Sequence, residues 1–165
     1  MNLDNLNDLP EWKDREMDDD DDKEAWKPNP TRDACKAMYG KWNEIVSMLN
    51  GAIGSLKDLS DKDDDGSFTK EQKAMILGDA YETGVKIRSS EAGGIYIIRM
   101  ENAAIIRKNA QYIKTAILGM MMEREIEEDY GEIIRNEIDA FRELFKTWIV
   151  TLEKDEYTDE WGLFV

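Results

Sequence analysis

The chain has 165 residues, 41% of them hydrophobic, and a formal net charge of −15 from 37 acidic and 22 basic residues. This length and composition suit one domain with its own core, and the charge makes nucleic acids and anionic membranes poor partners while favouring basic proteins or divalent cations. A single cysteine, Cys35, excludes an internal disulfide. The lack of histidine excludes histidine-dependent triads and histidine-ligated zinc.

No apolar stretch of the sequence is long enough to cross a bilayer. The N-terminus lacks the basic and then apolar layout of a secretory signal, so we expect a cytoplasmic location. Since no familiar catalytic constellation remains after these exclusions, we also expect a protein that is not an enzyme.

Residues 1–30 form an acidic first segment. It contains eleven acids, four bases and few aliphatic residues. Such a stretch buries too little apolar surface to offset its ordering entropy, so we predict a flexible segment. Two tryptophans interrupt this pattern, and we interpret Trp12 and Trp26 as side chains that dock on the folded domain or on a partner.

Residues 31–154 carry apolar side chains three and four positions apart, which predicts four amphipathic helices. The predicted helices cover residues 31–59, 68–88, 95–125 and 132–154. Thr31 with Asp33 is the predicted cap of the first, and the predicted breaks include residues 89–94 and 127–131. Joined by short polar connections, these helices predict an all-α, up-down-up-down four-helix bundle. Each predicted helix carries one apolar stripe, here called its seam. Seams this regular can pack against those of another chain as readily as within one chain, so a homo-oligomer is an open alternative.

The predicted core is made of the seam residues of the four helices. On the first and second helices these are Cys35, Met38, Trp42, Ile45, Leu49, Ala52, Leu56, Leu59, Ala74, Ile76, Leu77, Ala80, Tyr81, Val85 and Ile87. On the third and fourth they are Ala103, Ile106, Ala110, Ile113, Ile117, Met120, Ile134, Ile138, Phe141, Phe145, Trp148 and Leu152.

An acidic connection, residues 61–72, lies between the first two helices. Carboxylates occupy its first, third and fifth positions, glycine the sixth and phenylalanine the eighth. This order resembles an EF-hand loop, and the resemblance implies a weak Ca²⁺ site with glutamine in place of the final bidentate glutamate. The predicted metal ligands are Asp61, Asp63, Asp65, Ser67, Thr69 and Gln72.

The same residues have an explanation that needs no metal. Thr69 and Gln72 have the spacing of a capping box, in which each side chain accepts a hydrogen bond from the other residue's backbone N–H. Aspartates just before a helix also interact favourably with its dipole. We favour this capping interpretation, and calcium binding is the alternative.

A second acidic cluster could hold magnesium. Glu125 and Glu128 fit the first half of the motif by which all-α nucleotide pyrophosphohydrolases bind Mg²⁺, but only Asn136 and Asp139 could form the second half. Charged helix ends are common, so we favour a solvated helix end over a metal site.

The last segment, residues 155–165, ends in an apolar run on an acidic chain. Its candidate partner-binding residues are Trp161, Leu163, Phe164 and Val165. Such a run is expected either to fold back over the bundle or to insert into another protein.

Together these features predict a non-enzymatic, helical-bundle protein-interaction module, which calcium could tune through residues 61–72. The alternative is an acidic decoy that occupies the basic groove of a nucleic-acid-binding protein by imitating phosphate spacing. A magnesium-dependent pyrophosphohydrolase ranks last, because the paired motif is incomplete.

Overall fold

The computed structural model describes residues 9–13, 27–54, 65–92 and 94–164. Most of them belong to four helices, which are α1 (Pro30–Gly54), α2 (Asp65–Ala92), α3 (Tyr96–Met122) and α4 (Glu128–Ile149). These ranges contain no strand, and the predicted all-α, four-helix architecture is confirmed.

Each helix packs against two others. Helices α1 and α3 both lie between α2 and α4. The Cys35 Sγ approaches the Ile87 carbonyl at 3.2 Å, and the Trp42 Nε1 donates to the Ala80 carbonyl at 2.7 Å. Contacts between α1 and α2 therefore fall in reverse order along the chain, as they do between antiparallel helices.

The core runs the length of this arrangement. Trp42 and Phe141, both buried, pack with ring centroids 4.7 Å apart. Ring pairs in this tilted geometry stabilise beyond their buried area. The predicted seams of α1 up to Ala52 and of α3 are buried throughout, as are Ile134, Ile138, Phe141 and Trp148 on α4.

The seam of α2 differs from the prediction. Ala74 is exposed and Val85 is 42% exposed, whereas Thr83 and Ser90 are buried. Both hydroxyls donate to the carbonyl four residues earlier at 2.7 Å. Because this bond satisfies the hydroxyl inside the helix, a polar residue occupies a core position without an unpaired donor.

Helix α1 begins one residue earlier than expected, and the predicted cap formed by Thr31 and Asp33 is wrong. Its cap is Asn29, whose Oδ1 accepts the backbone N–H of Arg32 at 3.0 Å. Pro30 follows as the first helical residue, where a missing N–H costs nothing.

The break between α3 and α4 also lies earlier than predicted. The chain leaves α3 through Arg124, which has φ 59°. The N–H groups of Arg124 and Glu125 donate to the carbonyls of Met121 and Met120 at 3.0 and 2.8 Å. These two bonds form a Schellman motif, which ends a helix by satisfying its last carbonyls. Gly131, predicted to belong to the break, is a buried residue of α4.

Candidate functional site

Residues 9–13, here called the docked segment, lie against α1 and α2. Leu9 is 6% exposed and joins the core. Its methyl carbons lie 2.5–2.6 Å from where a Cβ on Gly84 would stand. Because any side chain at position 84 would fill that space, the glycine creates the gap that Leu9 occupies.

Two side chains hold the backbone of the docked segment. The Tyr39 hydroxyl on α1 donates to the Pro10 carbonyl. The Arg88 Nη1 on α2 donates to the next carbonyl, that of Glu11, at 2.6 Å. Charged donors give stronger bonds than neutral ones, so the segment is held at consecutive carbonyls from two helices.

An aromatic contact completes the attachment. The rings of Trp12 and Tyr39 lie 5.4 Å apart between centroids. Burial raises the pKa of the Tyr39 hydroxyl, against the opposing effect of its hydrogen bond with Arg88. Tyr39 therefore stays a neutral donor at physiological pH. Of the two docking places expected for Trp12, the folded domain and a partner, the structure shows the first, and Trp26 lies outside the described residues.

The docked segment does not fill the groove between α1 and α2. A cavity of about 420 Å³ remains beside it, lined by Trp12, Tyr39, Val85, Arg88 and Glu91 among others. Its lining combines apolar and aromatic groups with two cations, Lys13 and Arg88, and one carboxylate, Glu91. Cavities of this size and lining are typical of binding sites.

The chain's other end forms a second feature, the C-terminal turn, residues 159–164. The Asp159 carboxylate accepts the backbone N–H groups of Trp161 and Leu163 at 3.1 and 2.6 Å. The Gly162 N–H donates to the Asp159 carbonyl at 3.0 Å, with Gly162 at φ 73°. Since a positive φ suits glycine, Asp159 and Gly162 together fix the turn.

The stretch before the turn is attached to α3. The Asp155 carboxylate accepts the N–H of Tyr96, the first residue of α3, at 2.8 Å, and that of Tyr157 at 3.1 Å. The residue preceding α3, Ile95, provides no side-chain cap. Asp155 thus caps a helix that lies 59 positions earlier in the chain.

The turn exposes the side chains that it organises. Trp161 is 89% exposed and Leu163 is 57% exposed, while Phe164 is partly buried. Trp161 and Leu163 therefore do not fold back over the bundle, which was one of the two outcomes expected for the apolar end. Val165 lies outside the described residues.

Most of the predicted calcium ligands lie outside the part of the chain whose side chains the structure describes. Asp61 and Asp63 lie outside the described residues, as do the side chains of Asp65, Ser67 and Thr69. The backbone is helical from Asp65 onward, three residues before the earliest expected start. Gln72 is partly buried on α2. The calcium site stays a prediction, and a Ca²⁺ titration by calorimetry tests it.

Two residues of the predicted magnesium motif, Asp139 and Glu125, lie in different surroundings. Asp139 accepts a hydrogen bond from the Lys114 ammonium at 2.5 Å, and this bond lowers the pKa of the carboxyl group. One Glu125 oxygen is buried without a hydrogen-bond partner, and burial raises the pKa of that carboxyl. Within the described ranges, no group of three His, Cys, Asp or Glu residues is placed to hold a metal.

The carboxylates of α4 bear on the decoy hypothesis. Glu132, Glu137, Asp139 and Glu143 each pair with a lysine or arginine within 2.5–2.9 Å. A surface that imitates phosphates needs carboxylates that can pair with the cations of a partner because they are not already paired within the chain. Four of the six carboxylates of α4 are therefore already paired within the chain, and the decoy stays a prediction.

Two further polar residues have structural partners. The Arg99 Nε donates to the Ser90 carbonyl at 2.9 Å, and the buried Asn109 side chain donates to a Glu82 oxygen at 2.9 Å. Both bonds join α2 to α3.

Comparisons of the chain with protein-family models, with curated proteins and with solved structures found no match. Among the described helices, none has the length and apolar character needed to span a membrane.

Proposed function

We propose that this protein is a non-enzymatic, helical-bundle interaction module that inserts Trp161 and Leu163 into an apolar pocket of a partner protein. The observation that carries the proposal is their exposure on a turn fixed by its own hydrogen bonds. Tryptophan anchors that fill a partner pocket commonly dominate binding energy. A turn fixed before binding reduces the entropy lost on association.

Charge narrows the class of partner. Asp159 and Glu160 directly precede the exposed Trp161, and the chain carries a net charge of −15. Opposite charges around an apolar pocket speed association and select partners. The proposed partner is therefore a protein whose apolar pocket has a basic rim.

Affinity capture from the source lysate tests the proposal with two matched variants. The double variant Trp161→Ala/Leu163→Ala removes the exposed anchors, and Met122→Ala removes a side chain that is 77% exposed at the end of α3. We expect one captured protein to be lost with the double variant and retained with Met122→Ala. Equal capture by all three chains would contradict the proposal.

Titration with the purified partner then measures the effect directly. Removing a hot-spot tryptophan costs at least about 2 kcal/mol, which is roughly a thirtyfold weaker Kd. A basic rim predicts a Kd that also weakens as salt is added, because salt screens exposed charges.

A further inference from the structure

We propose that the groove between α1 and α2 docks an extended segment of a partner protein, in which leucine, proline and an aromatic residue follow the order of residues 9–13. In the absence of the partner, the chain's own docked segment occupies the groove, and the partner's segment displaces it on binding. This site is separate from the C-terminal turn, so the inference does not depend on the function proposed above and is tested separately.

The groove binds the backbone carbonyls of the docked segment as well as its side chains. Tyr39 and Arg88 reach consecutive carbonyls from opposite walls. Any extended chain presents carbonyls in this way, whatever its side chains. Aromatic-lined grooves commonly bind proline-containing extended segments, because proline has already lost much of its conformational freedom.

Side chains then select the sequence. The gap above Gly84 accepts a leucine side chain, which is 6% exposed there, and a charged side chain would lose most of its hydration in the same place. The Tyr39 ring accepts an aromatic residue three positions later, as it accepts Trp12. The docked segment thus defines the chemistry of the partner: leucine, proline, any residue, and an aromatic.

The unfilled cavity gives a partner the means to compete. Sixteen residues separate Lys13 from Pro30, and so short a tether keeps the segment at a millimolar effective concentration. Below that concentration, an untethered competitor displaces the segment only through contacts that the segment lacks, whereas a competitor in millimolar excess displaces it by mass action. The cavity of about 420 Å³ beside Trp12, with Val85 and Arg88 on its wall, provides room for them.

The test uses full-length chains and a fluorescently labelled synthetic peptide of residues 5–13. In the variant Leu9→Asp/Trp12→Ala, the chain's own segment loses both anchors and leaves the groove empty. We expect the peptide to bind this variant saturably and at least tenfold more tightly than wild type. Adding Gly84→Leu should abolish binding, and adding Gly78→Ala, where nothing lies within 4 Å of the new Cβ, should leave it unchanged.

A second measurement does not depend on the emptied variant. Wild-type chain labelled with 5-fluorotryptophan reports the environment of Trp12 by fluorine NMR, and excess peptide should shift that resonance alone. Failure of the peptide to bind the emptied chain or to displace the native segment would overturn the inference. So would unchanged binding after Gly84→Leu, or light scattering that showed two copies of the chain exchanging their segments. Partner binding by the C-terminal turn would be unaffected by any of these outcomes.

Discussion

The two described ends of this chain carry similar residues and have opposite surroundings. The docked segment has Trp12 beside Glu11, and the C-terminal turn has Trp161 beside Glu160. In the first, the bundle supplies the donors and the gap that hold the segment. In the second, Asp159 satisfies the backbone within the turn itself. An apolar chain end is thus buried only where the fold offers complementary groups, and a turn that satisfies its own backbone leaves its side chains for another molecule.

The largest expected difference between the two ends concerns their leucines. Leu9→Asp should lower the free energy of unfolding by about 2 kcal/mol, because a buried leucine side chain contributes that much. Leu163→Asp should change it by less than about 0.5 kcal/mol, as exposed substitutions do. Urea denaturation followed by circular dichroism measures both. Equal losses would mean that the two ends are buried alike.

The cap from Asp155 is the next largest effect. Asp155→Ala should cost about 1 kcal/mol, because the N–H of Tyr96 loses its acceptor at the start of α3. Asp155→Asn keeps an acceptor oxygen and should cost less. Glu156→Ala, at the neighbouring exposed position, is the control in the same denaturation assay, and a cost equal to that of Asp155→Ala would argue against the cap.

A pair of glycines on α2 isolates the gap under Leu9. Gly78→Ala should stabilise the protein by about 0.8 kcal/mol, because alanine favours the helix and meets no neighbour there. Gly84→Ala should gain little or nothing, since the new methyl group displaces Leu9. Fluorine NMR of 5-fluorotryptophan at Trp12, whose ring contacts Tyr39, should show a shifted resonance only in the second variant. Equal stabilisation by both would show that Leu9 does not depend on the gap.

The smallest effect on stability belongs to the C-terminal turn. Asp159→Ala should change the free energy of unfolding by less than about 0.5 kcal/mol, while releasing the backbone of residues 161–163. Fluorine NMR of 5-fluorotryptophan at Trp161 should then show a narrower line, from faster motion. Glu160→Ala should leave that line unchanged. An unaltered line in Asp159→Ala would mean that other contacts fix the turn.

The spacing of apolar residues predicted the buried positions well where those residues repeat without interruption. The seam of α3 is buried as expected, because six aliphatic positions repeat there without interruption. The prediction for the seam of α2 was partly wrong, because the hydroxyls of Thr83 and Ser90 are hydrogen-bonded within the helix and these residues pack like small apolar ones. Periodicity counts such residues as polar.

The candidate sites were harder to predict because their complements are distant in sequence. Nothing between Leu9 and Lys13 indicates that Gly84 and Arg88, some 75 residues later, provide a gap and a donor. The C-terminal residues were predicted as a contact site, but the sequence did not distinguish burial from exposure. That distinction depends on the two hydrogen bonds of Asp159.

The lone thiol has a practical consequence. Burial raises the pKa of Cys35 to about 12, Glu91 adds to the effect and Arg99 opposes it. Since the thiolate is the reactive form, maleimide at neutral pH should leave this residue unmodified in the native protein. A chain carrying Thr158→Cys would therefore accept a single spin label or dye beside the C-terminal turn without removal of the native cysteine, and that label would follow a docking event in real time.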